Sequence, residues 1–166
     1  MRSVLFVCLG NVCRSPGAEA VFNAFVRREG LTGRIRCDSA GTAGYHEGEP
    51  ADKRMQCHAM RRGYRLSSVA RQFRPETDFD EFDYIVGMDD DNVSDLQSLA
   101  SSTEELNKIC KITDFSSKEG HDAVPDPYYG GADDFELVLN ILEDACEGLL
   151  NEVKTKAGDN EDAQDQ

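Results

Sequence analysis

The segment Val7–Pro16, VCLGNVCRSP, carries the strongest chemical signal in the chain. Five residues separate Cys8 from Arg14, and Gly10 and Asn11 lie between them. Gly and Asn take left-handed backbone angles most readily, so the segment can curl its N–H groups round a tetrahedral oxyanion. Arg14 adds a planar fork that grips two phosphate oxygens, where Lys would give a single point charge. The donors that attract a phosphate also stabilise a thiolate, so Cys8 at the floor of the loop reads as a nucleophile facing phosphorus. Ser15 is placed to hydrogen-bond that sulfur. A Cys-x5-Arg spacing alone is weak; its weight comes from what flanks it.

Those flanks are a strand and a helix. Ser3–Val7 (SVLFV) is a short apolar run of the kind buried in parallel sheets. Ser15 and Pro16 read as N-cap and first turn of a helix. Its apolar stripe is Ala18, Val21, Phe22, Phe25 and Val26, its last turn holds Arg27 and Arg28, and Gly30 stops it. The positive end of that helix points at the same loop. Further strands are expected at Ile35–Ala40, Phe82–Val86 and Lys108–Thr113, and further helices at Ala51–Arg62 and Asp89–Ala100. A long helix is expected to be capped by Asp133, with Glu136 completing a capping box and a stripe from Phe135 to Val153. Alternating strands and helices predict an α/β fold: a small four-stranded parallel open sheet with helices on both faces, doubly wound and flavodoxin-like. Ligands of such sheets sit beyond the carboxyl ends of the strands, where the loops after Val7, Ala40 and Val86 converge.

Composition bounds the rest. The chain has 166 residues, a net charge of −14 and 39% hydrophobic residues, enough for one domain at 1–156, followed by an acidic tail, 157–166, expected to be disordered. The acidity argues against nucleic acid and anionic membranes as partners. No run is long enough to span a membrane, and the N-terminus lacks a signal-peptide pattern. Six cysteines without a C-x-x-C pair argue against structural zinc and for a reducing, cytoplasmic setting. His46, His58 and His121 have no ligand spacing, the Asp89–Asp91 run reads as a helix cap with a solvated face, and Arg61 and Arg62 read as solvated helix ends. No metal or cofactor is expected.

Phosphoryl transfer also needs a proton donor at the leaving oxygen. VPDPYYGG, residues 124–131, supplies Asp126 between two prolines, followed by Tyr128 and Tyr129, whose rings could wall a cleft. From the residues alone an ordinary proline turn with a solvated Asp is an equal reading.

VCLGNVCRSP, DSAGT (38–42), ARQ (70–72), DYIVGMD (83–89) and DPYYG (126–130) together resemble the low-molecular-weight protein tyrosine phosphatases over about residues 3–153. The resemblance implies a phosphocysteine on Cys8, phosphate binding and transition-state stabilisation by Arg14, and Asp126 as acid and then base. It implies a substrate pocket built from Leu9, Gly10, Asn11, Val12, Cys13 and Ser15, support of the loop by Asn11 and Ser39, and an entrance lined by Tyr45, Tyr128 and Tyr129. Where the family often has a His bonded to the loop Asn, this chain has Ser68, which implies a less rigid loop. Cys13 is either a small buried filler or the partner of a reversible disulfide with Cys8 that shields it from over-oxidation.

The resemblance implies phosphotyrosine proteins as substrates, a tyrosine kinase among the candidates, and inhibition by phosphate or vanadate. Arsenate reductase, on the same fold, would need resolving cysteines, and residues 63–74 have none. Protein-arginine phosphatases tend to carry a small polar residue where Val12 stands; Val12 suits a flat phenyl ring.

Overall fold

The computed structural model describes residues 1–118 and 120–164, of which 157–164 by backbone alone. In chain order the elements are β1 (Arg2–Cys8), α1 (Arg14–Arg28), β2 (Ile35–Gly41), α2 (Lys53–Met60), α3 (Pro75–Glu81), β3 (Tyr84–Gly87), α4 (Asp90–Leu99), α5 (Thr103–Lys108), β4 (Ile109–Lys111) and α6 (Ala132–Gln164). A short 3-10 helix, Ile112–Phe115, follows β4. The four strands form one parallel sheet in the order β2-β1-β3-β4, the expected doubly wound α/β architecture.

The two-residue period of β1 builds a core on each face of the sheet. Val4, Phe6 and Cys8 pack with the apolar stripes of α1 and α6, where Phe22, Leu139, Leu142 and Leu149 are fully buried. Leu5 and Val7 pack on the other face with Phe73, Phe79, Phe82 and Leu96, from the α3 and α4 side. Each such side chain contributes about 1.5–3 kcal/mol by leaving water. Strand β1 is paired along one edge from Arg2 to Cys8 and along the other from Val4 to Val7.

Several local expectations change. Helices α3 and α5 interrupt what reads as loop. The fourth strand is only Ile109–Lys111, because the chain turns into the 3-10 helix that packs on α6. The long helix begins at Ala132, with Asp133 in its first turn rather than at its cap; Asp134 instead accepts from the Gly131 N–H at 2.8 Å. Glu136, the expected box residue, turns to His58 and Arg62. Helix α1 starts at Arg14 with no side-chain cap, because Ser15 is used elsewhere. The backbone of α6 is helical to Gln164, past the tail boundary expected at 157, and 165–166 lie outside the described residues.

Candidate active site

Strand β1 ends on Cys8, and the chain then loops through residues 9–13 into α1. The turn is made at Asn11, the single non-glycine described residue with a left-handed φ, 57°. Its side chain locks the loop at both ends. Nδ2 donates to Ser15 Oγ at 2.8 Å, and Oδ1 accepts from the Arg71 N–H at 3.0 Å. The start of the loop is tied to the end of β2, where Thr42 N donates to Cys8 O and Ala43 N to Leu9 O, at 2.8 and 2.9 Å. Only glycine serves at position 41, since a Cβ there would lie 2.7 Å from the Leu9 carbonyl oxygen.

The Cys8 sulfur is enclosed by this loop. It receives the Asn11 N–H at 3.3 Å and contacts Ser15 Oγ at 3.0 Å. Ser15 is itself oriented by Asn11 and by the Ala40 carbonyl, at 3.3 Å. Arg14 is 3% exposed and lies across the cavity. Burial works against its charge, but Cys8 and Asp89 beside it hold the guanidinium firmly protonated. Nη1 donates to Asp89 Oδ2 at 2.5 Å and to the Val124 carbonyl at 3.1 Å, and Nη2 lies 3.6 Å from Asp126 Oδ2.

A cavity of about 120 Å³ opens above the sulfur. Cys8, Leu9, Gly10, Val12, Cys13 and Arg14 line its floor, and Tyr45, His46, Asp126, Tyr128 and Tyr129 its walls. Tyr45 and Tyr129 are exposed, at 75% and 95%. Tyr128 packs edge-on to Tyr129, with ring centres 5.0 Å apart. Burial, with Asp52 and Cys8 nearby, pushes the Cys13 thiol well above its ordinary pKa. The arrangement is a slot for a planar group with an anionic head: aromatic sides, with the Asn11 N–H, the Ser15 hydroxyl and one guanidinium at the base.

The expected site residues converge, with two exceptions. Ser39 Oγ donates to Glu19 Oε1 at 2.6 Å rather than to the loop Asn. Ser68 lines a separate cavity of about 330 Å³ that runs along α1, together with Glu19 and Asn23. Burial pushes the Glu19 carboxyl up to about 7 even though Ser39 donates to it.

Several residues have roles that the sequence does not show. Asp89 does cap α4, accepting from Asn92 N at 2.7 Å, but its other oxygen holds Arg14. His46 forms part of the pocket wall, its ring 5.9 Å from that of Tyr128 and its Nδ1 2.7 Å from Glu49. Arg62 is not a solvated helix end, since it bridges Glu136 and Glu143 of α6, and His58 joins it on Glu136 while stacking on Phe135. Asp89 sits at the carboxyl end of β3, on the edge where ligands of such sheets bind, and that position was the available signal.

Comparison with known proteins agrees with this geometry. A family model described as low molecular weight phosphotyrosine protein phosphatase matches residues 3–159. A low molecular weight protein-tyrosine-phosphatase of Streptomyces coelicolor is 44% identical over 153 residues, covering 91% of this chain and 93% of its own. The human low molecular weight phosphotyrosine protein phosphatase is 41% identical over 149 residues, covering 90% and 94%. The crystal structure of a protein tyrosine phosphatase from Entamoeba histolytica superposes with a TM-score of 0.91 at 45% identity, covering 94% of this chain and 99% of that one. With this match along nearly the whole chain, and a cysteine cradle of the geometry just described, the chain belongs to the low molecular weight phosphotyrosine protein phosphatase family.

Proposed function

We propose that the chain hydrolyses phosphotyrosine in proteins through a phosphocysteine on Cys8. The observation that carries the reading is the placement of Cys8 Sγ against the Asn11 N–H and the Ser15 hydroxyl, with Arg14 and Asp126 on the same cavity. The phosphate enters with its oxygens on the loop N–H groups and the Arg14 fork. Cys8 sulfur attacks phosphorus as the aryl P–O bond breaks, and Asp126 gives its proton to the departing phenolate oxygen. Asp126, now a carboxylate, takes a proton from water, whose oxygen displaces sulfur and releases inorganic phosphate. Arg14 and the N–H ring carry the charge that develops on the equatorial oxygens.

Val12, 7% exposed on the cavity floor, and the tyrosines on its walls favour a flat phenyl ring over an aliphatic phosphoguanidine. Tyrosine-phosphorylated proteins, a tyrosine kinase among them, are the substrate class this slot suits, with inorganic phosphate and vanadate as competing ligands. The residues at 157–166 act as a tail outside the catalytic unit, and the setting is cytoplasmic.

Hydrolysis of phosphotyrosine, phosphoserine and phosphoarginine side by side, with Cys8→Ser as control, tests the reading. Phosphotyrosine is hydrolysed fastest and the variant is inert. Faster release from phosphoarginine, or turnover by Cys8→Ser, overturns it.

A further inference from the structure

The residue assigned to proton transfer sits on an exposed loop. Asp126 is 44% exposed in its side chain and pairs with Arg14 at 3.6 Å. Within the segment, Tyr128 N donates to Asp126 Oδ1 at 3.1 Å and Gly130 N to Pro127 O at 2.9 Å. Besides the Arg14–Asp126 ion pair, a side chain from another element donates a hydrogen bond to its backbone. Arg54, in the first turn of α2, gives Nη2 to the Tyr128 carbonyl at 2.8 Å.

That guanidinium is held from several sides. It donates through Nε and Nη2 to the Asp52 carboxylate, at 3.3 and 3.0 Å. It lies 5.7 Å from the ring centre of Tyr128 and 4.8 Å from that of Phe135 in the first turn of α6, within cation–π range. Asp52 in turn donates its own N–H to the Val12 carbonyl at 2.8 Å and caps α2. A continuous path of hydrogen bonds therefore runs from the phosphate-binding loop at Val12, through Asp52 and Arg54, to Tyr128 and on to Asp126.

We infer that Arg54 is a positioning residue for proton transfer: it clasps the Asp126 loop to the phosphate-binding loop and fixes the donor carboxyl over the leaving oxygen. The inference deepens the reading above and rests on Asp126 being the acid. Arg54 does not line the cavity over Cys8, so its loss leaves attack by sulfur intact and withdraws help from the departing oxygen. Proton help matters little for a leaving group that is stable as an anion, and greatly for a phenolate of high pKa.

The test is kcat/KM, which reports the first step, across aryl phosphates from 2,4-dinitrophenyl phosphate to phenyl phosphate. Arg54→Ala, Arg54→Lys, Asp126→Asn and Arg54→Ala/Asp126→Asn are compared with the parent. The expected result for Arg54→Ala is a loss of about tenfold on phenyl phosphate, part of the ~10²–10⁴ that a general acid supplies, and under about twofold on the dinitrophenyl ester. Arg54→Lys recovers part of the loss, and the double variant is no slower than Asp126→Asn. Equal loss on both esters, no loss on either, or a double variant slowed by the product of the single effects overturns the clasp. If Asp126→Asn steepens the leaving-group dependence and Arg54→Ala does not, the clasp alone fails. If Asp126→Asn leaves that dependence unchanged, the acid assignment fails and the clasp falls with it.

Discussion

Asp89 is the hinge post of Arg14: one carboxylate oxygen accepts from the guanidinium at 2.5 Å, while the other accepts from the backbone of Asn92 at 2.7 Å. A helix cap is thereby made to aim the guanidinium that faces the cavity. The Val124 carbonyl, at 3.1 Å from the same nitrogen, completes the grip, and Val124 N is itself bonded to Met88 O at 2.9 Å.

Asp89→Ala is expected to lower kcat/KM by about 10- to 100-fold, equivalent to ~1.4–2.7 kcal/mol of transition-state stabilisation. Asp89→Asn, which keeps a cap oxygen but loses the charge, falls between. Steady-state kinetics with a thermal melt for each variant checks this, and a melt shift without a rate loss would contradict it.

Cys8→Ser is expected to retain vanadate or phosphate binding without turnover, whereas Arg14→Ala loses both, because in the proposed mechanism the guanidinium clamps the anion. Titration calorimetry of each variant with phosphate separates the two roles. Turnover by the parent is expected to survive EDTA, since the loop and Arg14 supply the electrostatic stabilisation; loss with EDTA would contradict the mechanism.

Glu19 gives a pH prediction. Its carboxyl is pushed up to about 7 in the folded chain by burial, above its ordinary value of 4.5. A group with a raised folded pKa contributes stability that is complete below the unfolded value and lost as pH rises through the folded one. The protein should therefore lose stability between about pH 4.5 and pH 7, by roughly 1–3 kcal/mol. Glu19→Gln should flatten that part of the profile. Urea midpoints at pH 5 and pH 8 measure it, and an unchanged slope in the variant would refute it.

Ser68→His is expected to fill part of the cavity of about 330 Å³ beside Glu19 and to raise Tm. Thermal stability and activity both unchanged would dispose of the view that Ser68 leaves the loop less rigid.

Gly148 lies where α6 crosses the 3-10 helix, and an added Cβ would sit 1.9 Å from the Phe115 carbonyl oxygen. Gly148→Ala must push backbone from backbone, at a cost of about 1–3 kcal/mol. Denaturant unfolding reads it directly, and a midpoint equal to the parent's would refute it.

Which parts of this molecule are legible in sequence follows from how local each signal is. Cys8, Gly10, Asn11 and Arg14 fall within one stretch of seven residues, 8–14, so their chemistry is written locally. The stripes of α1 and α6 are long enough to show a helical period. Helices α3 and α5, of seven and six residues, are too short for one, and only Pro75 and Ser102 marked their starts. Asp133 misled because two adjacent acids compete for the cap. Asp89, His46 and Arg54 are different in kind: each has an ordinary local role, as cap, loop side chain or helix surface, and gains its second role from a segment that tertiary folding brings beside it. Arg54 and Tyr128 are 74 positions apart, so no local pattern joins them.

Cys8 is the last residue of β1, one of the two central strands that are hydrogen-bonded along both edges. Heat should accordingly disarm the molecule in two stages. The proline-flanked segment works loose first and proton delivery fails, while the sulfur, built into the part of the chain that lets go last, keeps reacting with esters that need no such delivery until the whole domain melts.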